Sequence, residues 1–178
     1  MYVVGHKPDP VKLIIQAPTG WRIVNGRTER PNQNEFQFPN WDELVDTSTE
    51  IAPDFTQDTF TVDGKKYHVV VHSFGDEGGK RPALVKDIEK IVRAEVAMWG
   101  APEFREYTFL IHYAADDHSG DGMEHLTSTQ IIEPGALAEP GEPHHPAAGA
   151  GTLGRCRPRP RGLRAVVAQI AEELAGRV

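Results

Sequence analysis

The densest run of side chains able to do chemistry comprises His112, Asp116, Asp117, His118, Asp121, Glu124 and His125. Imidazole and carboxylate groups are common ligands of divalent metals, so this stretch could hold one. Its spacing matches neither the twelve-residue EF-hand loop nor a standard zinc motif. The plainer reading is an acidic, Gly- and Ser-containing surface loop that stays solvated. His68 and His72 bracket Val69-Val70-Val71. On a strand, residues four apart point to the same side, toward solvent or a polar partner. His144-His145 lies in Pro/Gly-rich chain, where organising ligands carries a large entropic cost. Cys156 is flanked by arginines that could lower its pKa, but the sequence places no rigid base beside it. The sequence contains no Gly-x-Ser-x-Gly elbow, and Gly75 to Gly79 lacks the Lys-Ser/Thr end of a phosphate loop.

The elements that would position these groups follow from local patterning. Val11-Lys12-Leu13-Ile14-Ile15 is a β-rich run closed by Ala17-Pro18-Thr19-Gly20, a turn signal. Trp21-Arg22-Ile23-Val24 and Glu35-Phe36-Gln37-Phe38 predict two further short strands. Asn40 caps a helical turn beginning at Trp41, with Asp42 and Glu43 in the first turn. Asp63-Gly64 between two β-rich runs, 59–62 and 65–74, predicts a two-residue hairpin of type I′. From Pro82 to Trp99 the period becomes helical, with Leu84, Val85, Ile88, Ile91, Val92, Val96 and Trp99 on one face. Gly100-Ala101-Pro102 stops that helix. Residues 107–113 predict a buried strand, and the stretch 123–132 ends as another.

The 178 residues, 39% apolar and 25% charged, suffice for a core. A net charge of -7 argues against a general nucleic-acid binder. No window approaches the roughly 18 apolar residues of a membrane helix, and MYVVGHKPDP lacks the build of a signal peptide. The default expectation is therefore a cytoplasmic location. A single cysteine excludes an internal disulfide. All 14 aromatic residues lie at or before Tyr113 and all seven lysines at or before Lys90. The 32 residues from 133 to 164 hold six Gly, six Pro, five Ala and five Arg, a composition ill suited to a core. The expected class is α+β: an antiparallel β-rich unit (1–79), then one long helix and a small sheet (80–132), then an irregular tail (133–178) with one possible amphipathic helix over 163–176.

The order of these pieces resembles the gluzincin aminopeptidases, in which a Gly-x-Met-Glu-Asn strand borders the active-site cleft. It resembles most the M61 family, the glycyl aminopeptidases, at Pro10-Val11, Thr19-Gly20-Trp21-Arg22, Asp42-Glu43-Leu44-Val45-Asp46, and from Phe60 to His72. The likeness continues through Trp99-Gly100, Tyr107-Thr108-Phe109-Leu110, Gly122-Met123-Glu124-His125 and Ser128-Thr129. It implies a zinc-dependent aminopeptidase that removes Gly- or Ala-type residues, with Gly122, Met123, Glu124 and His125 lying along the substrate. Glu124 would bind the free α-ammonium of a peptide N-terminus, and His125 stands where the family has Asn. A carboxylate on a strand edge suits that role on physical grounds as well.

The chain departs from the family at the metal. None of its eight histidines is followed by Glu, so His-Glu-x-x-His, which would hold zinc and activate its water, is missing. The expectation is a truncated, inactive section of an M61-type peptidase that binds no zinc, with a tail produced by a frameshift in a GC-rich gene. The alternatives are a non-enzymatic peptide-binding module using the Glu124 strand edge, and an unrelated metal protein using His112, His118 and the acidic loop. Apolar residues of the helix and of 107–113 and 131–132 are expected to lack their partners, exposing surface for self-association.

Overall fold

The computed structural model describes residues 3–27, 33–73, 77–114 and 121–138. The acidic loop 115–120, His144-His145, Cys156 and the possible helix 163–176 lie outside the described residues.

Four short strands form two antiparallel pairs. β1 (Val11–Ile14) pairs with β3 (Glu35–Phe38), and β2 (Arg22–Asn25) with β4 (Thr49–Ala52). Between them α1 (Trp41–Val45) begins at Asn40, whose side-chain oxygen accepts from the Glu43 N–H at 2.9 Å, the cap anticipated from the sequence. The larger element is a five-stranded sheet of order β5-β6-β7-β9-β8, made of β5 (Thr56–Val62), β6 (Lys65–Ser73), β7 (Glu106–Ala114), β8 (Asp121–Glu124) and β9 (Ser128–Pro134). β5 and β6 are a hairpin whose turn residues Asp63 and Gly64 have φ of 48° and 74°, the pair of positive values a type I′ turn requires. β6 runs parallel to β7 and β7 parallel to β9, whereas β8 returns antiparallel to β9. The chain is therefore α+β, and this mixed sheet joins strands from both sides of residue 79.

α2 (Arg81–Trp99) connects β6 to β7 and covers one face of the sheet. Ile88 and Val92 are buried, with Leu84, Val85, Ile91 and Val96 beside them, against Tyr67, Val69, Val71, Tyr107, Phe109, Ile111, Tyr113 and Ile131. The helix and strand residues expected to lack partners thus form the main core, through a crossover between parallel strands that buries both. Trp99 departs from the expected face and is 57% exposed: the packed stripe ends at Val96, one turn before the helix does.

On the other face, Val70 and Leu110 pack with Val24, Ala52 and Phe55 of the β2–β4 region. Here His68, His72, Thr108 and His112 point toward the smaller sheet, because alternate residues of β6 and β7 serve opposite faces. A third cluster, Ile23, Phe36 and Phe38, is completed by Val11, Leu13 and Leu44.

Two boundaries differ from the sequence reading. The stretch 123–132 is part of two strands, β8 and β9, joined by a turn in which the His125 N–H donates to the Ser128 carbonyl at 2.8 Å. The ordered body also does not stop at Ile132. Glu133 and Pro134 continue β9 opposite Tyr113 and Ala114, and Leu137 is 4% exposed within the main core. Its N–H donates to the Ser73 hydroxyl at 3.2 Å, and Lys80 donates to the Ala138 carbonyl. Residues 133–138 are therefore packed on the body.

Candidate functional site

β8 is the edge strand of the five-stranded sheet. Its residues Gly122, Met123 and Glu124 face Ile131, Gln130 and Thr129 of β9 in antiparallel register, and the Thr129 hydroxyl donates to the Met123 carbonyl at 3.1 Å. One backbone edge of β8 is thereby occupied, and the other borders no strand among the described residues. Met123 is 61% exposed. Glu124 is half-buried, and its carboxylate makes no hydrogen bond or ion pair among the described residues. A carboxylate in that position can accept from a cation while the free backbone edge pairs with an extended peptide.

His125 follows directly and is anchored differently. Its side chain is 11% exposed, and its Nδ1 lies 3.2 Å from Asp46 Oδ1. The second oxygen of Asp46 accepts from the Leu126 N–H at 2.8 Å. Asp46 is the C-cap of α1, so one carboxylate ties the β8–β9 turn to the N-terminal region. Asp46 and His125 both belong to segments that carry the family resemblance, yet 79 residues separate them. His125 Nε2 is buried without a hydrogen-bond partner among the described residues.

The histidines read from the sequence separate into different environments. His68 and His72 do share a face, and both are buried with polar partners. Nδ1 of His68 accepts from the Gln57 amide at 3.2 Å, and its Nε2–H donates to Glu106 Oε2 at 3.0 Å. His72 Nδ1 donates to Glu50 Oε1 at 2.9 Å. Parallel register places His112 directly beside His72, with ring centroids 4.7 Å apart and the rings nearly perpendicular. Glu50 Oε2 lies 3.8 Å from His112 Nδ1.

The run from His112 to His125 is accordingly not one cluster. Asp121 shares the His112 face but stands two strands away, across Ile132, a distance of about 10 Å. Glu124, three residues after Asp121, lies on the opposite face. His112 instead joins His72 and Glu50, whose ligand atoms all fall within 4.8 Å of one another. Glu50 and Glu106 escaped the sequence reading, and Asp46 entered it only through the family likeness. Tertiary structure brings each to its histidine: Glu106 through the β6–β7 pairing, Glu50 from the separate β2–β4 sheet, and Asp46 from the end of α1.

The zinc implied by the family resemblance does not fit the residues present. Its ligands sit one helical turn apart with Glu between them, whereas neither described helix contains a histidine. The Glu50, His72 and His112 group comes from three separate strands.

The fold has a solved counterpart. An aminopeptidase N family protein from Idiomarina loihiensis is similar over 74% of this chain with a TM-score of 0.63 and 24% identity. The matched region spans 23% of that protein's length. No family model and no curated protein matches the sequence. The likeness shows a fold shared with part of that protein. Among the described residues, no helix is long and apolar enough to cross a membrane.

Proposed function

We propose that this chain receives the amino end of a peptide along β8, as the substrate-binding section of an M61-type zinc aminopeptidase, and does not itself hydrolyse the bond. The observation that carries the reading is Glu124: an edge-strand carboxylate whose charge is balanced by no described group. An extended peptide would pair with the free edge of β8 through its backbone, and its α-ammonium would meet Glu124. The Asp46 carboxylate would hold the turn that follows, fixing where the strand ends. The fold shared with part of an aminopeptidase N family protein supports this assignment, and the missing His-Glu-x-x-His supports binding without cleavage.

The test is binding of short Gly-terminated peptides, free and N-acetylated, to the full chain by calorimetry. A part-exposed, charge-assisted contact is worth about 1.5 kcal/mol, so free peptides should bind about tenfold more tightly than acetylated ones, and Glu124→Gln should erase the difference. Equal affinities in the unmodified chain would refute the role of Glu124. Hydrolysis of a Gly-linked fluorogenic substrate that separates from the chain on purification would leave the binding reading intact; hydrolysis that co-purifies with the chain would overturn the claim that it does not cleave.

A further inference from the structure

We propose that Glu50, His72 and His112 form a binding site for one divalent first-row transition ion of the zinc type, joining β4 to β6 and β7. The inference concerns the face of the sheet opposite α2 and is independent of the peptide-binding reading.

Three features converge. The donor set is two imidazoles and one carboxylate, which suits zinc, cobalt or nickel and disfavours calcium and magnesium, which prefer all-oxygen shells. The spacing is also close to that of a coordination shell. A tetrahedral ion with bonds of about 2.0–2.1 Å holds its ligand atoms about 3.3 Å apart; here one donor atom from each of the three residues lies within 4.8 Å of the others, with His72 Nδ1 2.9 Å from one Glu50 oxygen and His112 Nδ1 3.8 Å from the other. Side-chain rotation about fixed backbone positions would draw these atoms into a shell. The backbone is already fixed by the His72–His112 parallel register and by the pairing of Glu50 with Val24.

The third feature is the far side of His72. Its Nε2 lies 3.5 Å from Asp54 Oδ1. When Nδ1 ligates the ion, the ring proton moves to Nε2 and faces that carboxylate, the arrangement that commonly orients a metal-bound histidine. The side chains of His72 and Glu50 are 10% and 18% exposed and that of His112 is 29% exposed, so the ion would enter from the His112 side and keep a position open to water. Its consequence would be mechanical: β4 belongs to the small N-terminal pair, β6 and β7 to the central sheet, and the ion would fasten one to the other. The sequence alone led to the expectation that no metal binds this chain, because the three ligands come from segments that show no common motif.

The experiment is titration of the full chain with zinc chloride by calorimetry, with cobalt chloride as an optical reporter. The expected result is one ion per chain, a tetrahedral cobalt spectrum without a thiolate charge-transfer band, and a melting temperature that rises with zinc. Glu50→Gln and His112→Ala should each weaken binding by about 100-fold, with metal-free circular dichroism and melting like the parent chain. His118→Ala and a His144→Ala/His145→Ala variant should bind normally. In the unaltered chain, zinc should shift the imidazole resonances of His72 and His112, a readout that needs no variant to fold. Absence of saturable binding, binding indifferent to Glu50→Gln and His112→Ala, loss of binding in His118→Ala, or imidazole shifts confined to other histidines would each overturn the proposal.

Discussion

Replacing Asp46 by Ala removes the carboxylate that holds the His125 ring and the Leu126 amide to the end of α1. Two contacts are lost, at 3.2 and 2.8 Å. A net hydrogen bond contributes about 1 kcal/mol, more when one partner is ionised. The Asp46 side chain is 41% exposed and Leu126 is exposed, so water can satisfy the freed N–H and the full desolvation penalty does not apply. The His125 ring has less recourse: its side chain is 11% exposed, Nε2 is buried and already lacks a partner among the described residues, and losing the Asp46 contact leaves Nδ1 without its described partner as well. The sum is about 1–2 kcal/mol, or about 4–8 °C in Tm for an ordered body of this size. Thermal unfolding followed by far-UV circular dichroism measures the loss, and hydrogen exchange locates it, with the 121–134 amides opening first. Asp46→Asn, which keeps one acceptor for Leu126, should recover about half. A Tm within 1 °C or so of the parent, with unchanged exchange across β8 and β9, would refute the claim that this carboxylate fastens the edge strand to the N-terminal region.

Three further outcomes follow from the packing. Ile88→Ala empties a fully buried position of α2 against the sheet and should cost about 2–5 kcal/mol by denaturant unfolding; a cost below 1 kcal/mol would mean that the helix does not seal this core. Gly26→Ala would set a Cβ 2.8 Å from the Ser128 hydroxyl oxygen and 2.9 Å from its Cβ, so it should destabilise by about 1–3 kcal/mol through overpacking, checked by the same melts. Burial, with the Asp63 carboxylate second, pushes the Tyr67 phenol up to about 12, and burial, with Glu133 second, does the same for Tyr113. Below about pH 10 both phenols keep their protons folded or unfolded; between about 10 and 12 the unfolded chain releases them first, so stability falls as pH rises through that window. Absorbance at 295 nm should show these tyrosines ionising together with unfolding, and Tyr67→Phe should flatten the alkaline loss; ionisation at pH 10 in a chain that stays folded would contradict their burial.

Local signals in the sequence sufficed where the structure is itself local. The Asn40 cap, the Asp63-Gly64 turn and the helical stripe from Leu84 to Val96 each depend on residues a few positions apart, and each formed as the spacing predicts. The α+β class follows from the same signals. The short strand Thr49–Ala52 carried no such signal, since its β character comes from pairing with β2 across two dozen residues. Leu137 was hidden for a related reason. A leucine set among Gly, Pro and Ala shows no periodicity, and its burial depends on the Ser73 hydroxyl and on strands distant in sequence.

The candidate sites divide along the same line. That Glu124 sits on an edge carboxylate position was legible, because the Gly122-Met123-Glu124-His125 series carries both its strand and its family likeness. Which histidines meet was not. By spacing, His112 belonged with the acidic residues that follow it, and His72 with His68. The parallel pairing of β6 with β7, made by a helix that crosses between them, instead sets His72 beside His112 and leaves His68 to Glu106. Pleating sends Glu124 to the other face from Asp121. Side-chain type and local period are properties of neighbouring residues and are fixed by sequence. The register between strands that lie 40 residues apart is fixed by how the whole core closes, and that closure decided which of this chain's reactive groups stand within reach of one another.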